Sequence, residues 1–426
     1  IQMRQAPVVL TQNSKSPEGF TIFEQRDPIL QVYETYGRLM PYLLVFAAHN
    51  RPVDTMPHYR QAQKAAQQGI TPESWKALIA LTRDILSSSH NPLLCDLHTA
   101  FELQGSFSYF LEICNLSLNI IHQKPSFEPQ AIIELLSESN PVEQYYHLQA
   151  LYQDMYDIIL ETFTRMSNSN TLFPPQVPAA FEWNPLRGKD YYYTRIVHDL
   201  TQKIGNGIYA AGSYLPYEAQ LAKQYGVSAY TVRKALDLME RRGYTKTRNG
   251  KGTIVLTPDQ LNTEQALQDL TTKQDALVYL HSLQLMVLLA HPVAACTAPQ
   301  FSEDDLEQLA AHLNEPGIAL THLFQMILER LSLKPLQVIW TETSCITEWG
   351  FYFAFYSQGV GVIEQLNDIT RRAYRGLRTG DNTEFAESLA DSYRLILTSV
   401  QTYMVEKYNF TEALSVQVPI SFLTIH

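Results

Sequence analysis

Between residues 191 and 258 the chain changes character, and this segment constrains the fold more than any other. Ile196, Leu200 and Ile204 recur every four residues and predict one face of a helix, with Gly205 and Gly207 as its stop. A short second helix is expected after Pro216, burying Leu221 and Ala222. Gly226 then turns the chain, and Ser228 is placed to cap a third helix. In that third helix Val232, Ala235, Leu236 and Met239 fall at i, i+3, i+4 and i+7 and make its core face. Ala229, Tyr230, Arg233 and Lys234 are left on the outside, near the helix N-terminus. After Gly243 come two β-prone runs, Tyr244–Arg248 and Thr253–Thr257, joined by Asn249-Gly250-Lys251-Gly252, and Asn-Gly is a strong hairpin signal. Three helices and a hairpin with a basic tip predict a winged helix-turn-helix, whose third helix offers its first side chains to a major groove.

Charge singles out the same segment. It holds ten Lys and Arg against four Asp and Glu, a balance of +6, whereas the whole chain of 426 residues is −11 and the remainder therefore −17. One local nucleic-acid-facing module in an acidic protein fits this pattern; a uniformly basic coat does not. With 45% hydrophobic and 18% charged residues the chain is too apolar for disorder and long enough for two or three cored domains. Cys95, Cys114, Cys296 and Cys345 lie far apart with no CxxC pair, which suits a reducing compartment and argues against structural zinc. Most of residues 25–165 and 262–410 has helical periodicity. The apolar stretch Ala276–Ala298 is interrupted by His281, Gln284 and His291 and reads as a buried core helix rather than a membrane span. No signal peptide is expected from its opening residues.

The run LPYEAQLAKQYGVSAYTVRKALDLMERRGYTKTRNGKGTIVL (215–256) resembles the DNA-binding domain of the GntR family of bacterial transcription regulators. The matching pieces are LP, Glu218 with the following LA, GVS, TVRKAL, Gly243 and the GKGT wing, in order and at the right spacing. The resemblance implies DNA contacts from an Arg in the second helix, an Arg just after the capping Ser, and the Arg of TVR. These fall on Ala219, Ala229 and Arg233, so only Arg233 retains its type. The expected DNA-binding set is Ser228, Tyr230, Thr231, Arg233 and Lys234 on the recognition helix, with Arg248, Asn249, Lys251 and Thr253 on the wing. Lys234, Arg248 and Lys251 are expected on phosphates, which fix register without reading sequence.

A repeat runs through the chain. VVLTQ at 8–12 resembles IVLTP at 254–258, Asn91-Pro92-Leu93 resembles Lys334-Pro335-Leu336, and QVPAAF at 176–181 resembles QVPISF at 417–422. The common register implies one unit of about 240 residues occurring twice. Residues 1–12 would then be the remnant of a first wing whose winged helix is missing from the chain. The expected organisation is this remnant, an all-helical effector domain over 13–170, a linker or docked segment over 171–190, the winged helix-turn-helix over 191–258, a second all-helical effector domain over 259–411 and a docked segment over 412–426. The fold class is mainly α.

The order of features in each helical block resembles the effector domain of the FadR-like branch, through SSSHNPLL (87–94) and AYRGLRTGDNTEFAESLADSYRLIL (373–397). In many relatives an Asp and three His there hold a metal ion. Thr82 and Gln325 stand where one such His would fall, and Tyr393, with Tyr152 as its partner in the first block, near another, so no metal and no cofactor is expected. An effector would instead need an apolar pocket with a few polar anchors, and Tyr152, Tyr156, Trp349, Tyr352 and Tyr393 are its candidate residues. Core and interface packing is the competing role of these rings.

The chain is thus read as a cytoplasmic, nucleoid-associated regulator rather than an enzyme. It would bind a double-stranded DNA operator as a single-chain pseudo-dimer, with an unidentified, admissibly hydrophobic effector and no membrane; further homodimerisation is left open. The alternative is a protein-interaction regulator with weakened DNA binding. The helical blocks have no Gly-rich loops and no Ser-His-Asp or paired-carboxylate arrangement.

Overall fold

The computed structural model describes residues 22–105, 124–166, 180–185, 192–205, 208–241, 243–257, 270–314, 317–348 and 360–421. The candidate residues Trp349 and Tyr352 and the proposed wing remnant 1–12 lie outside them. Described elements of the first block are α1 (Ile22–Ala48), α2 (Tyr59–Ala66), α3 (Pro72–Ser88), α4 (Pro92–Gly105), α5 (Pro129–Leu136) and α6 (Pro141–Met166). The middle segment forms α7 (Tyr192–Gly205), α8 (Glu218–Tyr225), α9 (Ala229–Arg241), β1 (Thr245–Arg248) and β2 (Gly252–Val255). The second block holds α10 (Leu270–Thr297), α11 (Glu303–His312), α12 (Ala319–Arg330), α13 (Lys334–Glu348), α14 (Val360–Thr379) and α15 (Asn382–Tyr408).

Local chemistry sets the helix ends. Thr71 and Ser74 form a reciprocal capping box ahead of α3, with Pro72 at the first helical position, and Ser302 with Asp305 does the same for α11. Gly380, at φ 74°, makes the left-handed turn between α14 and α15, and Asp381 accepts from the Glu384 N–H at 2.9 Å to cap α15.

The two helical blocks run in parallel order. Each opens on a long helix, α1 or α10, that packs lengthwise on the block's last long helix, α6 or α15. Between these lie shorter helices, including α4 and α13, which begin at the two related x-Pro-Leu sequences. Where the blocks meet, α1 packs on α10, α1 on α13, and α10 on α4, a reciprocal exchange of contacts like that of an isologous dimer. One continuous apolar core runs through both blocks. The polar residues of α10 sit at this meeting. Asn91 Nδ2 donates to the His281 carbonyl at 2.9 Å and to Gln284 Oε1 at 2.8 Å, and Gln284 Nε2 donates to the Gln417 carbonyl at 2.6 Å. His291 stacks on Tyr42 of α1 and pairs with Glu387 at 3.2 Å.

Extended segments follow both blocks and dock on them. Phe181 and Trp183 are buried, with Trp183 Nε1 donating to Asp96 at 2.8 Å, and Arg394 Nε donates to the Pro419 carbonyl at 2.9 Å. One helix among the described residues, 273–300, is long and apolar enough to cross a membrane, and 83% of its most apolar window is buried inside the protein.

Candidate functional site

The middle segment has its own core. Ile196, Leu200 and Ile204 of α7 meet Leu221 of α8 and Val232, Ala235, Leu236 and Met239 of α9, closed by Tyr244 and Val255. This is the face that the periodicity predicts. Ser228 Oγ accepts from the Thr231 N–H at 3.2 Å and so caps α9, and Gly226 supplies the left-handed turn at φ 65°. The wing pairs antiparallel, Thr245 with Val255 and Arg248 with Gly252, and a bridge from Tyr214 to Ile254 adds a third backbone contact. Thr247 N–H donates to Glu240 Oε2 at 3.1 Å and ties the wing to the end of α9.

The recognition helix therefore presents one exposed face: Tyr230, 63% exposed, with Arg233 and Lys234 beside it. Arg233 donates from Nε at 3.2 Å and Nη2 at 3.1 Å to a single oxygen of Glu218 on α8. Both partners are largely exposed, so the pair orients the guanidinium more than it stabilises the fold. Lys234 Nζ lies 5.0 Å from the Tyr230 ring centre and 5.6 Å from that of Tyr193. On the wing, Arg248, Asn249 and Lys251 are exposed around the tip. Thr253 is different: it is buried, and its hydroxyl lies 3.3 Å from that of Thr247, because β2 turns this side chain inward. Of the expected DNA-facing set it supports the wing instead of lining its surface.

Sequence reasoning missed two tyrosines. Tyr214 and Tyr217 have ring carbons 3.6 Å from where a Cβ would stand on Gly252, which sits at φ 101°, and Tyr217 is 67% exposed. Together with Lys251 and Gln220 they line a surface hollow beside the wing. The only sequence signal was their place either side of Leu215-Pro216.

Within the first helical block a cavity of about 50 Å³ lies between α1, α3, α4, α5 and α6. Its apolar walls include Leu78, Ile132, Leu148 and Met155; its polar lining is Tyr36, Thr82, His98, Glu102 and Tyr152. Tyr36 donates to Glu102 at 3.4 Å and meets Tyr152 edge-on at 4.9 Å. Burial lifts the Glu102 carboxyl to about 7, against the opposing pull of the Tyr36 hydrogen bond and of Arg83. Burial, with Arg83 adding to it, lowers the His98 imidazole to about 4. Tyr152 and Tyr156 also line an outer groove with Glu34 and Arg38. Tyr393, the register partner of Tyr152 in the second block, is in that block's core, edge-on to Trp340 at 5.8 Å. Among the described residues no group of three or more His, Cys, Asp or Glu is arranged to hold a metal ion.

Comparison with known proteins places the middle segment. Residues 192–255 match the family described as bacterial regulatory proteins, gntR family. The chain is 32% identical over 131 residues to the Uxu operon regulator of Haemophilus influenzae, covering 30% of this chain and 47% of that protein. It is 39% identical over 69 residues to the transcriptional regulator TreR of Bacillus subtilis, covering 16% and 29%. It is 29% identical over 119 residues to the Exu regulon transcriptional regulator of Escherichia coli, covering 28% and 45%. The chain thus spans about half the length, or less, of these curated relatives. The capped recognition helix, the wing and these matches agree: residues 192–255 are a winged helix-turn-helix domain of the gntR family of bacterial regulatory proteins.

Proposed function

We propose that this chain is a bacterial transcription regulator that binds a double-stranded DNA operator through residues 192–255, with its helical blocks serving as effector-responsive domains. The observation that carries the reading is the exposed recognition face of α9, with Tyr230, Arg233 and Lys234 beside the basic wing tip of Arg248, Asn249 and Lys251. The Uxu operon regulator match spans 131 residues, longer than the winged domain, which supports a relationship to that regulator beyond the DNA-binding segment. The parallel element order of the two blocks and their reciprocal packing support a tandem duplication, in which one chain supplies both halves of a dimer-like effector module. The same reading places the protein in the cytoplasm, with the nucleoid.

Effector binding would act by changing how the winged domain is held relative to the helical module. The Ala219 and Ala229 departures weaken base reading relative to the family pattern, which favours an operator of its own.

The test is selection of binding sites from random duplex DNA with the full chain, followed by titration across salt. An enriched motif whose binding survives physiological salt supports the proposal. Binding that shows no motif and fades with counterion release alone contradicts it and favours the protein-interaction reading.

A further inference from the structure

The cavity in the first block combines a buried acid, a buried base and aromatic walls, without the cation that such an acid calls for. His98 and Glu102 stand one turn apart on α4 and both face it. His98 is 1% exposed, and its Nδ1 has no hydrogen-bond partner. A buried polar atom left open in this way costs stability unless something fills the place. Glu102 receives a long hydrogen bond from Tyr36, and among the described residues no cation forms an ion pair with it; Arg83 acts on it only at longer range. Around it are the rings of Tyr36, Tyr152 and Trp75. A carboxylate set among aromatic rings is the arrangement that holds an ammonium group, through charge on one side and ring faces on the others.

The second block lacks it. In the register that pairs Asn91-Pro92-Leu93 with Lys334-Pro335-Leu336, His98 corresponds to Thr341 and Glu102 to Cys345. Neither can supply a carboxylate, and the fully buried Trp340 stacks on Phe324 at 5.4 Å and meets Tyr393 edge-on.

We propose that the first helical block alone binds the ammonium head of a small amine, between Glu102, His98, Tyr36 and Tyr152, giving one site per chain. The volume of about 50 Å³ admits an ammonium ion or a methylammonium group and little more. A carboxylate ligand would meet the Glu102 charge, and a purely apolar one would leave His98 Nδ1 without a partner and Glu102 with only the long Tyr36 bond. The site's regulatory meaning rests on the effector reading above; its existence does not.

The full chain is titrated by calorimetry and by ligand-observed NMR with methylamine, methanol and formate, each at pH 8. The site predicts that the protonated amine saturates at one equivalent per chain and that the alcohol and the acid do not compete with it. Glu102→Gln weakens amine binding by about tenfold or more, and Thr82→Leu, which fills the cavity from α3, abolishes it. Thr341→Val in the second block leaves it unchanged. Binding weakens as pH falls below 7 and Glu102 takes up its proton; the titratable groups facing it are Tyr33 and Tyr36 from α1, Arg83 from α3, His98 from α4 and Tyr152 from α6. Equal binding of alcohol or acid, two equivalents per chain, no saturable amine binding, or full binding in Glu102→Gln would each overturn the proposal. Saturable amine binding that leaves operator affinity unchanged supports the site and removes the effector reading instead.

Discussion

Arg233 spends two of its donors on one oxygen of Glu218 and stays more than half exposed on the outer face of α9. Replacing it with Ala is expected to lower affinity for the selected operator by roughly 1–3 kcal/mol while sparing non-specific binding. An equal loss on all sequences, measured by fluorescence anisotropy, would make Arg233 a phosphate contact. Lys251 at the wing tip has the opposite signature: Lys251→Ala should reduce the salt slope of log K by about one. In the cavity, Glu102 has a folded-state carboxyl raised from 4.5 to about 7, so the native protein binds more protons than the unfolded chain between those values. Stability is therefore lost as pH rises through 7. His98 and His281, both lowered from 6.5 to about 4, act in the other sense, and their contribution is lost as pH falls from 6.5 to 4. Glu102→Gln should then be more stable than the parent by roughly 1–3 kcal/mol at pH 8 and nearly equal to it at pH 4.5. The same difference at both pH values would show that the carboxyl is not the cause.

At the scale of elements, two short sequences fix how helices meet. Gly376 of α14 crosses the start of α15 so closely that a Cβ would stand 2.6 Å from the Phe385 nitrogen and 2.9 Å from the Asp381 carbonyl oxygen. Both are backbone atoms, so Gly376→Ala is expected to cost about 1–3 kcal/mol, read as a lower denaturant midpoint; an unchanged midpoint would mean that the α14–α15 turn relaxes freely. Asn91 caps α4 through the Leu93 N–H at 2.9 Å and crosses to α10 with its other end. Asn91→Ala removes the cap and leaves Gln284 Oε1 and the His281 carbonyl without that donor, a loss of roughly 2–4 kcal/mol. The sequence made the recognition helix, its Ser228 cap and the Asn-Gly wing legible because each follows from local periodicity and turn chemistry. It identified Asn91 only as part of a repeated motif, since its partner lies far along the chain. His98 and Glu102 escaped notice because one His and one Glu on a helix acquire meaning only when a cavity closes over them. Tyr152 and Tyr393 are register partners, one in each block, and their surroundings differ: Tyr36 meets the one ring and Trp340 the other.

At the scale of the molecule the described residues form two buried apolar cores, one continuous through both helical blocks and one confined to the winged domain. The polar interruptions of α10, which the sequence offers as arguments against a membrane span, prove to include the groups that join the blocks: Gln284 to Asn91, and His291 to Tyr42. Calorimetry should accordingly resolve a large transition for the joined blocks and a smaller one for the winged domain, with Asn91→Ala shifting only the large one. Separate unfolding of the two helical blocks would contradict the dimer-like module. The central claim, that this chain reads DNA sequence through α9 and the wing, is tested most directly by anisotropy of the full chain on its selected operator and on a scrambled duplex at physiological salt, with and without Arg233→Ala. The account predicts tighter binding to the operator, by at least about a hundredfold, and a loss of most of that margin in the variant. Equal binding to both duplexes, unaffected by Arg233→Ala, would contradict it.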